Sequence, residues 1–144
     1  ALTAGGAVWS WGWGEDGQLG HGDEQRQLLP KKVEALAGRR VVAVAAGVNH
    51  SIATTADDAV FTWGQGGNGC LGHGEDLSNQ LLPKKIETFS AGQRVIAVSA
   101  ECSYSLALTA DGTVWSWGRG AEAQLGHGDQ HIQPLPKKVE AFAG

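Results

Sequence analysis

The sequence predicts an all-β fold assembled from sheets of four antiparallel strands, and three observations predict it. The chain repeats itself at steps of 52 and 54 residues. Each step holds four short strand-like segments separated by turn residues. No segment has helical periodicity over ten or more residues. Repeats of this length, with four short strands and an aromatic face, suggest blades of a β-propeller.

The repeat is carried by markers in one order. Trp11-Gly12 recurs as Trp63-Gly64 and Trp117-Gly118. Leu19-Gly20-His21-Gly22 recurs as Leu71-Gly72-His73-Gly74 and Leu125-Gly126-His127-Gly128. Leu29 to Glu34 recurs at Leu82 to Glu87 and at Leu135 to Glu140, each time with a Pro-Lys-Lys core. These markers divide the chain into a partial unit, 1–38, and two full units, 39–92 and 93–144.

The elements follow in order within a unit. "VVAVAA" from Val41 is a nearly continuous apolar run, which predicts a strand buried on both faces. "SIATT" from Ser51 and "SLALT" from Ser105 predict a second strand. Asp57-Asp58 and Asp111-Gly112 predict the hairpin turn after it. "AVFTWG" and "TVWSWG" predict a third strand. Side chains alternate along a strand, so Trp9 with Trp11, Phe61 with Trp63, and Trp115 with Trp117 each share one face. A glycine-rich loop follows, then a fourth strand around "PKKVEA". The first unit shows only its last three strands, so 11 are expected in all.

Composition narrows the function. Glycine is 22 of 144 residues, about twice ordinary usage, with neither a collagen period nor a disordered composition. A net charge of -4 disfavours DNA. No apolar run is long enough for a membrane span. Cys70 and Cys102 occupy different repeat positions, which argues against a disulfide and favours a reducing compartment, cytoplasmic or nuclear.

Candidate sites are weighed against the repeat. Gly12-x-Gly14-x-x-Gly17 matches a dinucleotide fingerprint, with Glu34 seventeen residues further on. A phosphate loop needs a helix after its glycines, and "QLGHG" is too glycine-rich to start one. The triplet also recurs as Gly64-Gly66-Gly69, and as Gly118-Gly120 with Ala123 third. Turn geometry is therefore expected, and no bound cofactor. His21, His73 and His127 stand at equivalent places on successive units, so they would be spread apart rather than converge on a metal. Each is expected to anchor its loop. No catalytic residue is expected: neither cysteine has a repeated base beside it, and Ser51 and Ser105 lie in no nucleophile elbow. Lys31-Lys32, Lys84-Lys85 and Lys137-Lys138 read as charged protection of an edge strand, with a basic stripe for an acidic partner as the alternative.

Taken together, "VVAVAAGVNHSIATTADDAVFTWGQGGNGCLGHG" from Val41 and "PKKI" from Pro83 resemble the repeat of the regulator-of-chromosome-condensation family. The resemblance covers essentially the whole chain. It implies part of a seven-bladed propeller, about three repeats long. Two departures stand out: Glu101-Cys102-Ser103-Tyr104 replaces the G-x-x-H turn, and Ala121-Glu122-Ala123 replaces Gly67-Asn68-Gly69. One plant photoreceptor branch of the family uses clustered tryptophans, but its tryptophan-and-arginine turn motif is absent from "GVNH" and "ECSY".

An open propeller exposes apolar end faces and strand edges. Three outcomes are open: a fragment of a longer protein, closure by self-association, or an end covered by a partner. The expected function is a non-catalytic protein–protein interaction module. The resemblance implies that the turn before the histidine contacts partners such as a small GTPase or a chromatin protein. The matching positions are Val48 and Asn49, then Cys102 and Ser103, with His50 beside them. The rival expectation is nucleotide exchange on a Ran-like GTPase, although no inserted wedge is visible between the markers. A third is membership of a larger protein, such as a HECT-type ubiquitin ligase.

Overall fold

The computed structural model describes residues 1–89 and 92–142. Strands β1 (Trp9–Gly12) and β2 (Gln27–Lys32) form a two-stranded sheet. Strands β3 (Val41–Ala46), β4 (His50–Thr55), β5 (Val60–Gly64) and β6 (Gln80–Lys85) form a four-stranded one. Strands β7 (Val95–Glu101), β8 (Tyr104–Thr109), β9 (Val114–Gly118) and β10 (Gln133–Lys138) form another. Every pairing is antiparallel between chain neighbours, so each complete sheet is a simple meander.

Alternation along the strands makes each sheet two-faced. From β5, Phe61 and Trp63 join Ala53 in a core with Val8, Val33 and Leu36 of the first sheet's segment. From the opposite face, Ile52 and Val60 join Phe89, Val95, Trp115 and Trp117. Each sheet thus turns aromatic side chains back toward the preceding sheet and aliphatic ones toward the following sheet. Phe89 wedges between them, edge-on to Trp115 at 5.4 Å and to Trp117 at 5.9 Å. Such an enclosed tryptophan is worth about 3–5 kcal/mol against alanine. The innermost strands β3 and β7 lie against each other, which places them at the hub.

The glycine-rich loops clamp one sheet to the next. Gly22 N–H donates to Leu81 O, and Gly74 N–H donates to Pro134 O, both at 2.9 Å. Glycine is required at Gly20 and Gly72 because the next sheet's tryptophan packs onto the loop. A Cβ there would lie 2.8 Å from Trp63 Nε1 and 3.0 Å from Trp117 Nε1.

Three strand expectations are corrected. The eleventh strand is reduced to an isolated bridge, Leu2 with Val8, leaving ten strands among the described residues. The fourth strand of each unit holds the Pro-Lys-Lys of "PKKVEA" but starts three residues before it and stops there: β2 ends at Lys32, because Val33 turns inward and Glu34–Leu36 winds into a 3-10 turn that buries Leu36. Finally, "VVAVAA" is not buried on both faces. A bulge between Val41 and Ala43 turns Val42 outward, and β3 is the edge strand of its sheet. Ile96 repeats this in β7.

Candidate protein-binding face

The turns and the glycine-rich loops gather at one end of the sheets. Register enforces this: His50 pairs with Gly64 and Tyr104 with Gly118. Backbone bonds tie each turn to the corner beside it. Gln65 N–H donates to Asn49 O at 2.8 Å, and Arg119 N–H donates to Ser103 O at 2.9 Å.

His50 begins β4 and is buried to 1% exposure. Its ring folds over Gly47, where a Cβ would come within 2.6 Å of His50 Cε1. In the third unit tyrosine replaces this histidine and glutamate replaces the glycine, so the residue that required the gap and the gap disappear together. His50 Nε2 lies 2.8 Å from Ser105 Oγ in the next sheet. The Ser105 hydroxyl gives its single proton to Cys70 O at 2.9 Å, so His50 Nε2–H is the donor to Ser105. Burial drives the His50 imidazole down to about 4, against a smaller upward pull from the Cys102 backbone.

The L-G-H-G histidines each meet a hydroxyl from the strand beneath. His21 lies 3.0 Å from Ser10 Oγ, His73 3.0 Å from Thr62 Oγ1, and His127 2.9 Å from Ser116 Oγ. Those hydroxyls donate to Leu19 O, Leu71 O and Leu125 O at 2.6 Å. The imidazole is thus stitched into its own loop three times. Among the described residues no group of three or more His, Cys, Asp or Glu side chains could hold a metal.

In the G-x-G-x-x-G segments the third position takes a left-handed backbone, at φ +78° for Gly17, +72° for Gly69 and +57° for Ala123. A turn follows each triplet, with no α-helix to stabilise a phosphate. Cys70 is buried, and burial pushes its thiol up to about 11, away from nucleophilic use. Lys31 and Lys84 pair with Asp23 at 3.9 Å and Asp76 at 2.6 Å.

A groove of about 400 Å³ opens between the first two sheets at this end. Its walls include Trp9, Trp11, Trp13, Val48, His50 and Trp63. Of the five contact candidates it gathers Val48 and His50; Asn49, Cys102 and Ser103 lie outside it. Val48 is 64% exposed, Cys102 is exposed, and Asn49 and Ser103 are half-buried. Trp11 and Trp13, 49% and 50% exposed, were not among the contact candidates. Trp13 did carry a signal: it stands where the other units have polar Gln65 and Arg119. Arg26 covers part of it, 4.7 Å from the ring centroid.

The family model described as the regulator of chromosome condensation (RCC1) repeat matches residues 5–54, 57–108 and 111–144. The chain belongs to this family. Each family repeat starts partway through one sheet: the match at 57–108 takes β5 and β6 from one and β7 and β8 from the next. Over its whole length the chain is 44% identical to the human E3 ubiquitin-protein ligase HERC2, covering 3% of that protein. It is likewise 41% identical to the Ultraviolet-B receptor UVR8 of Arabidopsis thaliana, covering 32%. The solved structure of Prp20p from Saccharomyces cerevisiae superposes with a TM-score of 0.88 at 23% identity, over 99% of this chain and 36% of that one. The chain therefore has the RCC1 propeller fold and spans about a third or less of these relatives. Among the described residues no helix is long and apolar enough to cross a membrane.

Proposed function

We propose that the chain is a non-catalytic protein-binding module whose turn-bearing end and tryptophan groove contact another protein. The carrying observation is the set of uncovered large apolar side chains at that end: Trp11, Trp13 and Val48. Exposed apolar surface beside a concavity marks an interaction surface, and tryptophan is the residue most enriched in binding hot spots. A partner would meet rigid anchors, since the turns are bonded to the strand corners.

A small GTPase or a chromatin protein fits the family. Prp20p was described together with its binding to Gsp1p and histones, which supports either class here. The two free cysteines accord with a cytoplasmic or nuclear setting. The test is calorimetric titration of the chain with a purified Ran-like GTPase and with histones. Val48→Asp combined with Trp11→Ala should weaken binding at least about tenfold; unchanged affinity would overturn the assignment of this end. Nucleotide exchange is the second reading, favoured by the Prp20p-like fold. Faster release of labelled nucleotide from the GTPase would replace plain binding with exchange.

A further inference from the structure

The end opposite the tryptophan groove carries the hairpin turns, and the two boundaries between sheets differ there in charge. At each boundary a hairpin of one sheet meets the connection that leads to the next. At the second boundary the hairpin is Asp57-Asp58 and the connection runs from Lys85 to Arg94. Arg94 Nε lies 3.9 Å from Asp58 Oδ1. At the first boundary the same places hold Gly5-Gly6 and the segment from Lys32 to Arg40. Arg40 matches Arg94 and Gly6 matches Asp58, so the arginine is kept while its carboxylate is lost. Arg39 adds a cation where the second connection has Gln93. Lys32, Arg39 and Arg40 against Glu34 leave the first boundary at net +2. Lys85 and Arg94 against Asp57, Asp58 and Glu87 leave the second at net -1.

A pocket of about 350 Å³ opens at the first boundary, between the hairpin and the connection. Buried Val33 and Leu36 lie in its lining, and Lys32, Arg39 and Arg40 are its charged residues. No Asp or Glu is among its described lining residues. Lys32 lies 3.9 Å from Glu34, and Arg39 lies 3.6 Å from Asp57. Arg40 has no carboxylate partner among the described residues. Its stem packs on the bare hairpin, where a Cβ on Gly6 would stand 3.0 Å from Arg40 Cγ. Both walls of the pocket have counterparts at the second boundary, so what distinguishes the two places is side chains: glycines here, aspartates there.

We infer that this pocket binds a carboxylate side chain from an acidic segment of another polypeptide, which takes beside Arg40 the place that Asp58 takes beside Arg94. A guanidinium pairs a carboxylate through a planar fork of donors. The apolar lining displaces part of the water that would otherwise screen the pair. Lys32 and Arg39 extend the attraction, so a run of acidic residues is favoured over a single one. This surface lies at the other end of the sheets from the tryptophan groove. It goes beyond the binding end proposed above, and either can fail alone.

The probe is a blocked hexaglutamate peptide, titrated at low salt into the full 144-residue chain carrying a nitrogen label. Saturable shifts of the Gly6, Gly38 and Arg40 amide resonances are expected, and they should shrink at about 0.5 M salt. Arg40→Gln, at an exposed site, should weaken binding at least about threefold, the worth of an exposed ion pair. Gly5→Asp puts a carboxylate back on the hairpin, in open space where folding is secure, and should weaken binding as well. Arg94→Gln removes an arginine that already has its acid and should leave binding unchanged. Hexaglutamine binding as tightly as hexaglutamate overturns the inference. So does inorganic phosphate shifting these amides when hexaglutamate does not, or unchanged affinity in Arg40→Gln.

Discussion

His50 and Ser105 are 55 residues apart in sequence and 2.8 Å apart in space, joined across the boundary between two sheets. Both are buried, so no water competes for this bond in the folded chain, and it couples the sheets directly. Replacing His50 by alanine removes the donor and opens a void between Gly47 and Ser105. The expected loss is about 2–4 kcal/mol of unfolding free energy. Urea unfolding of His50→Ala, Ser105→Ala and the double variant measures it. Strictly additive losses would show that the two side chains do not cooperate.

Acid should weaken the fold through the same histidine. Burial holds His50 at about 4 in the folded chain, whereas an unfolded imidazole ionises near 6.5. His73 is lowered to about 4 as well, by burial first and then by Lys84. Below pH 6.5 the unfolded chain therefore binds protons that the folded chain refuses. Stability is complete above 6.5 and falls as pH drops toward 4, by about 3 kcal/mol from His50 alone. Thermal unfolding at pH 7.5 and pH 4.5 reads this directly, and His50→Gln should lose less than the parent. A midpoint that does not move between the two pH values would refute it.

Ala123 takes the left-handed conformation that glycine takes at Gly17 and Gly69. Ala123→Gly relieves that strain and should stabilise the chain by about 0.5–1 kcal/mol, after the entropy of the freer unfolded chain is deducted. Gly69→Ala should do the reverse and cost about 2 kcal/mol or more. It both adopts the strained φ and places a Cβ 2.9 Å from Pro134 Cα. Denaturant midpoints for the two variants should move in opposite directions; shifts of the same sign would contradict the argument.

The two thiols should react at very different rates. Cys102 is exposed, whereas Cys70 is buried with its thiol pushed up to about 11. A disulfide reagent at pH 8 should modify one thiol quickly, and the second only at the rate of opening or in denaturant. Mass mapping should place the fast adduct on Cys102. Two fast thiols would mean that the second and third sheets part readily in solution.

The uncovered first sheet should make the chain associate with itself. Leu28, 86% exposed on β2, matches Leu81, which a loop of the preceding unit covers. Together with Trp11 it forms an apolar face without a neighbour. Sedimentation should show mass rising with concentration, and Trp11→Lys with Leu28→Lys should suppress the rise. A strictly monomeric parent at high micromolar concentration would reject this.

The strand pattern was legible because its causes are local. Period-two alternation, the Asp111-Gly112 turn and the recurrence of Trp-Gly and Leu-Gly-His-Gly report backbone geometry that a few neighbouring residues impose. The end of the fourth strand is hidden in "PKKVEA" because Val33 is apolar for packing between sheets, not for continuing a strand. Val42 reads as a core residue in "VVAVAA" because a bulge leaves no mark in a run of aliphatics.

The sequence by itself determined the all-β class, the repeat, the aromatic face of each third strand and the family. Tertiary structure decided which copies of identical residues are covered. Trp11 and Trp63 occupy the same repeat position, yet one is half exposed and the other 2% exposed. Ser51 and Ser105 likewise share a position, yet only Ser105 receives an imidazole. A repeat writes the same residue at each place, but burial depends on the neighbour across the sheet boundary. That neighbour lies some fifty residues away, where no local pattern reaches it.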